Sequence, residues 1–584
     1  MRLNRRLVLG GAAATAFSLL TTSEAMAQTT VREGPPTAGP GDVRFPRKPF
    51  TLREGTPEEA GLLREHVDRI VPSVARHLEG PEPSFPGFAV LAARDGVIAL
   101  HEAAGHRSRY SSWDAENSEA VELPREEWEP MTVDTVFDFA SVTKLFTAVL
   151  AARFYEDGLL DPDDRVADHL LDFADLDPDK APITVRHLLS HTSGMIAFLP
   201  LWREEDDEAR WREIRSYPLD RAPGAGYGYS DLNMITLAAI LEKLSGTGLD
   251  ALVARYITEP LGMADTGFNP PDPGRCAPTE YQPWTERGMV RGSVHDENAW
   301  GYGGVAGHAG LFGTARDLAV FGQMILNGGS YGGARVLSEA SARLVFTDMN
   351  AEHGTGTERG WGWQLNQRWY MDALNSPVTA GHTGYTGTSL VLDPLSGTLA
   401  VVLSNRVHPT REWGTVSVYR RAAHRPLARA LAVEPQNGET SWYSGQSDGR
   451  TVTLEAPLPQ AVGSGAVLFR LWTDTESTDV GSLAAEVNGE WRNVPLSLKA
   501  GPWRWEVGGT WSGYAGRRWA KAEGDLPAGT RRLRWSYASD SYYQGRGVYV
   551  DSLRVKDGGR TVFDSDDPRD EARLVAEGWE RSRD

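Results

Sequence analysis

The stretch "FDFASVTKLFTAVL" runs from Phe137 to Leu150. Leu145, Phe146, Val149 and Leu150 recur at helical spacing, and Gly158 ends the run. The spacing predicts a helix starting at Ser141, with Lys144 one turn later on the same face. That placement has chemical value. A serine hydroxyl attacks poorly until a base takes its proton. A lysine in a desolvated cleft gives up its proton more readily and can be that base. A helix N-terminus also offers N–H groups to a developing oxyanion. The tetrapeptide alone decides nothing. Serine is a favoured N-cap, and S-x-x-K arises by chance about once or twice in a chain this long.

Motifs farther along the chain give the tetrapeptide its meaning. "GYSDLN" places Tyr229, Ser230 and Asp231 before a second helical pattern, "DLNMITLAAILEKLSG". "VRHLLSHTSGM" (Val185 to Met195) lies upstream of it. "GHTGYTG" places His382, Thr383 and Gly384 at the start of a β-rich run. A serine-lysine helix, a middle polar element and a strand ending in Thr-Gly form the set of penicillin-recognising serine enzymes.

The flanking patterns imply one fold. "GFAVLAARDGVIALHEAAG" (Gly87 to Gly105) is two apolar runs around Asp95-Gly96, a hairpin signal. "SLVLDPLSGTLAVVLSN" (Ser389 to Asn405) is a second hairpin. Between them, from Val142 to about Gly329, the chain reads as helices, including one capped by Thr314 and stopped at Gly328. "TVSVYRRAAHRPLARALAV" closes the unit as a helix. Strands at both ends with helices between predict an α/β domain: an antiparallel sheet flanked by helices, plus an all-helical layer. Beyond Val433 the composition changes to Gly, Trp and short alternating runs, which predicts an all-β sandwich. The expected organisation is a signal peptide (1–27), a flexible lead-in (28–55), the α/β domain (56–433), a linker (434–440) and the sandwich (441–584).

From about Pro57 to Val433 the chain resembles the serine β-lactamase-like hydrolases, through "SVTKLFTA", "LLSHTSG", "YSDLN" and "GHTG". It looks most like the branch shared by class C β-lactamases, low-molecular-weight penicillin-binding proteins, D-aminopeptidases and carboxylesterases. The resemblance implies Ser141 as acylated nucleophile, Lys144 as its activator and Tyr229 as proton shuttle. It implies the backbone N–H groups of Ser141 and Tyr385 as oxyanion hole, and no metal. Asp231, His382, Thr383 and Gly384 are implied at the substrate. Two residues depart from the pattern. Asp231 stands where Asn is usual, and a carboxylate near Lys144 favours the charged lysine. His382 stands where Lys is usual, so a substrate carboxylate is anchored more weakly and with pH dependence.

"GSVHDENAWGYGGVAGHAGLFGTARDLAVF" narrows the resemblance to members that include exo-acting N-acetylmuramoyl-L-alanine amidases. That implies a muropeptide substrate, with His295, Asp296, Glu297 and His308 as further candidates for contact; adjacent residues point different ways, so a role in building the loop, or in holding a metal, stays open beside contact. A carboxylesterase and a penicillin- or wall-binding protein without turnover are the alternatives. The C-terminal runs resemble a MAM-like jelly-roll module, for which carbohydrate or cell-wall contact is one reading. The other is that most of its nine tryptophans, Trp442 to Trp579, form its core. Asp474, Glu476, Asp479 and Asp551 are acids that could hold calcium, though without a calcium-loop spacing.

Bulk properties set the limits. A net charge of −19 leaves no basic surplus for nucleic acid. Arg2, Arg5 and Arg6, an apolar run and "AMA" at 25–27 form a signal peptide, with Arg5-Arg6 suggesting the twin-arginine route to a secreted location. No later run is apolar enough to span a bilayer. The single cysteine, Cys276, reads as a packing thiol, and a monomer is expected.

Overall fold

The structure is a computed structural model that describes residues 31–80, 83–415 and 417–583. The expected signal peptide lies outside the described residues. The α/β domain is built on one sheet. Its strands are β1 (Arg53–Glu54), β2 (Gly87–Arg94), β3 (Val97–Ser108), β4 (Gln364–Leu365), β5 (Ala380–Thr383), β6 (Ser389–Asp393) and β7 (Thr398–Ser404). They lie in the order β4-β5-β6-β7-β2-β3-β1. All neighbours are antiparallel except β1 with β3. The N- and C-terminal parts of the domain therefore meet at β2 and β7, with Leu91 opposite Val401. Both hairpins form where the sequence predicts them. The β2–β3 turn puts Asp95 and Gly96 at φ 47° and 80°, the left-handed pair such a turn requires.

Two cores cover the two faces of this sheet. On one face, α1 (Ile70–Ala75) and the C-terminal helix pack with Phe88, Val90 and Val402. On the other face lie α2 (Thr143–Glu156), α3 (Val185–Ser190), α4 (Asp231–Ser245) and α5 (Ala315–Leu326). Alternate strand residues feed each core: Leu91 and Val401 one way, Val90 and Val402 the other. α5 is capped as the sequence predicts, with Thr314 Oγ1 accepting from Asp317 N. The closing helix is α6 (Val418–Arg429). The helical spacing of Leu63, Val67, Ile70 and Val74 is realised only in short pieces, Arg64–Val67 and Ile70–Ala75, and Pro72, which has no N–H to donate, sits in the second.

The C-terminal region is an all-β sandwich, as its alternating runs predict. A nine-stranded and a six-stranded sheet enclose a core that includes Leu454, Phe469, Leu483, Leu498 and Trp535. The tryptophans follow the core reading. Trp472, Trp511, Trp535 and Trp579 are buried, and the other five, Trp442 among them, are half-buried.

Two expected boundaries are corrected. The described part of the lead-in is not free. Arg32–Glu33 adds a parallel strand to the sandwich at Trp503–Arg504, Val43 is buried, and β1 joins the hydrolase sheet. Two-residue edge strands carry no alternation, so composition alone shows only Pro and Gly. The linker is also pinned. Asp551 accepts from the N–H groups of Gln436 and Asn437, and Glu434 accepts from the Trp519 indole.

Candidate active site

Ser141 lies in a single 3-10 turn, Ala140–Val142, that runs into α2. Ser141 is not the cap of that helix, although serine is a favoured cap residue. Val142 occupies the cap position, no side chain caps it, and the Ser141 hydroxyl is engaged elsewhere. Its Oγ is 2.8 Å from Lys144 Nζ and 3.0 Å from the Tyr229 hydroxyl. The turn is bent by Ala140, at φ 46°, a conformation that a β-carbon disfavours. Buried Asp138 holds it, accepting from Ala140 N at 2.8 Å and from His295 N at 2.6 Å.

Lys144 is fully buried. Its ammonium meets Ser141 Oγ, the His308 carbonyl at 2.9 Å and Asp231 Oδ1 at 2.8 Å. Burial alone would lower its pKa, but the Asp231 carboxylate and the Tyr229 oxygen outweigh burial and hold it above the usual lysine value. Burial, with Asp231, raises the Tyr229 phenol as well, against the pull of Lys144. The resting site thus holds a charged lysine, a protonated tyrosine and a neutral serine. Asp231 faces the lysine and is not among the residues lining the cleft.

Two residues that the sequence reading did not single out frame Tyr229. The His191 ring stacks on it at 4.7 Å, and Arg359 lies 5.5 Å from its centroid while donating to the Tyr227 hydroxyl. His191 follows α3 at φ 57°, and its Nδ1 accepts from Ser230 N. "LLSHTSG" marked that loop, whereas nothing near Arg359 in the sequence signals a role.

His382, Thr383 and Gly384 come from the end of β5 and line the same cleft as Ser141, Tyr229 and Tyr385. A β-carbon on Gly384 would sit 2.4 Å from the Phe139 carbonyl, so only glycine lets β5 approach the nucleophile turn. Thr386 and Thr388 bolt the two together, donating to the Asp138 and Phe139 carbonyls. His382 is buried, with Nδ1 2.8 Å from the Thr383 carbonyl. Burial, then Arg359 and Lys144, push its pKa well below the usual histidine range. It is neutral at pH 7, so the expected pH-dependent anchoring of a carboxylate is absent there.

The His295–Glu297 segment serves the scaffold rather than the cleft. His295 is buried against Glu280, Asp296 caps the following turn and pairs with His308 at 2.7 Å, and Arg411 joins Glu280 to Glu297. None of the three lines the cleft. The proposed calcium acids also separate. Asp474 pairs with Arg517, and Asp551 holds the linker. Glu476 and Asp479 instead approach Asp540. Cys276 is a buried thiol, pushed up to about 11 by burial.

The fold and this Ser-Lys-Tyr geometry define a serine acyl-transfer hydrolase. The family pattern described as Beta-lactamase matches residues 63–425, and the chain belongs to that family. It is similar to a protein of Escherichia coli K12 named "Putative D-alanyl-D-alanine carboxypeptidase", at 32% identity over 61% of this chain and 86% of the relative. A relative of the same name from Salmonella agona is 30% identical over the same shares. Among solved structures, "EstCE1, a hydrolase with promiscuous acyltransferase activity" is 23% identical, covering 62% of this chain and 99% of its own with a TM-score of 0.48.

Proposed function

We propose that the protein is an exported amidase or peptidase that cuts peptidoglycan-derived muropeptides through a Ser141 acyl-enzyme. The observation that carries this is the Ser141 hydroxyl held between Lys144 Nζ and the Tyr229 hydroxyl at the floor of an open cleft. In this reading, Ser141 Oγ attacks the carbonyl and its proton passes through the Lys144–Tyr229 pair to the leaving nitrogen. Water then attacks the acyl carbonyl, its proton passing through the Tyr229 hydroxyl to Ser141 Oγ as the acyl–Ser141 bond breaks, which restores the serine and releases the acid. The N–H groups of Ser141 and Tyr385 stabilise the oxyanion. No step uses a metal. The names of the relatives support peptidoglycan chemistry. No described helix is long and apolar enough to cross a membrane, which suits a protein delivered by the Arg5-Arg6 signal.

Neutral His382 supports an internal amide over a terminal D-alanine, whose carboxylate finds no cation at that position. The same observation favours a second reading, a carboxylesterase on uncharged acyl esters. Incubating the protein with defined muropeptides, with mass detection of products, separates them. Release of the intact stem peptide from the lactyl group is expected. Cleavage of simple esters with all muropeptides intact overturns the amidase reading and leaves the esterase. The variant Ser141→Ala must lose either activity.

A further inference from the structure

The cleft beside Ser141 has a volume of about 910 Å³, and the hydrolase domain forms only part of it. Trp369 and Arg368 line it from the hydrolase side, and Glu476, Tyr514 and Tyr543 line it from the sandwich. The sandwich residues lie in three loops at one end of the module. Thr475 Oγ1 accepts from Gly513 N at 2.8 Å, and Asp479 accepts from Asp540 N at 2.9 Å, so the loops brace each other.

They are also locked to the hydrolase. Arg517 is buried between Asp393 of β6 and Asp474 of the module, at 2.8 Å to each, and it donates to the Asn375 carbonyl. Arg368 donates to the Thr475 carbonyl at 3.0 Å, and Gln544 N donates to Asp372. Arg429 of α6 reaches the Tyr549 hydroxyl at 2.8 Å. A module carried on a loose tether would need none of these buried pairs.

We propose that this loop cluster is a substrate-selecting wall of the Ser141 cleft, and that it takes a pyranose ring carried by the substrate beyond the reacting carbonyl. Trp369, Tyr514 and Tyr543 supply ring faces for the apolar face of a sugar. Glu476 supplies an acceptor beside them, and its pKa is raised chiefly by burial. The Glu476 carboxyl accepts from Thr478 Oγ1 at 2.6 Å through one oxygen. A purely apolar group bound there would deepen the burial of that carboxyl without giving it a further partner, at a cost. A ring bearing hydroxyl and acetamido groups meets the aromatic faces and the polar atoms together. The proposal rests on Ser141 as nucleophile and not on which bond is cut.

The test uses nitrophenyl esters, whose turnover requires no peptide chemistry. Their acyl chains end either in an N-acetylglucosaminyl group or in a cyclohexyl group of similar size. The parent is expected to favour the sugar ester by about tenfold or more in kcat/KM. Tyr543→Ala and Tyr514→Ala should each bring that ratio towards one, and free diacetylchitobiose should inhibit the parent competitively. A parent ratio at or below one overturns the proposal, whatever the variants do. So does a ratio that both variants retain. Equal loss on both esters would mark a structural role alone and would also overturn it. Failure of the amidase reading appears separately, as intact muropeptides alongside cleaved esters.

Discussion

The two walls of the cleft are made in different ways. The wall with Ser141 and Tyr229, backed by Lys144, is built from short motifs on regular elements: one turn of helix, one loop before α4 and one strand end. The wall with Glu476, Tyr514 and Tyr543 is held by docking, through single arginines far apart in the chain. The first kind leaves a spacing in the sequence. The second leaves only an arginine among 60 lysines and arginines. The lesson concerns the module's role. Its composition suggests an appended domain, whereas its contacts make it part of the site.

The comparison breaks most sharply at Arg517. Arg517→Ala leaves Asp393 and Asp474 buried without their shared cation, and should cost about 3–5 kcal/mol in denaturant unfolding. A loss below about 1 kcal/mol would mean the module is not docked this way. On the other wall, Gly384→Ala drives a β-carbon against the Phe139 carbonyl and displaces the nucleophile turn. A fall of about 100-fold in kcat is expected, with the fold retained by circular dichroism. Unchanged kcat would show that β5 does not position Ser141.

The smallest effect is one of pH. Asp231 helps hold the Lys144 pKa above its ordinary value, whereas burial acts to lower it. Asp231→Asn removes the raising charge and leaves burial, so the lysine becomes neutral at lower pH. If neutral Lys144 activates Ser141, the acid limb of the kcat/KM profile should move to lower pH. A limb that stays in place would assign it to another group.

Much of the catalytic wall was legible because its residues sit in short motifs on regular elements. Ser141 and Lys144 lie one turn apart, Tyr229 precedes a strongly periodic helix, and His382 lies near the end of a strand that leads into the second hairpin. That one sheet is built from both ends of the domain followed from the hairpins at those ends. Illegible were the residues that act through long-range contact. Asp138 ties the nucleophile turn to His295 N, 157 residues downstream, and Arg359 lies against Tyr229 from 130 residues downstream. His295 and Asp296 looked like pocket residues because histidine and carboxylate side by side suggest chemistry. Their partners, Glu280 and His308, turn them to structural use. The lead-in looked free because its pairing partners, Trp503 and Val97, lie in other parts of the chain.

The central claim is that Ser141 becomes acylated. Intact-protein mass spectrometry after treatment with a fluorophosphonate probe, followed by peptide mapping, tests it directly. One adduct per chain is predicted, on the peptide that carries Ser141, with none on Ser141→Ala. An adduct on another serine, or equal labelling of Ser141→Ala, would contradict the account.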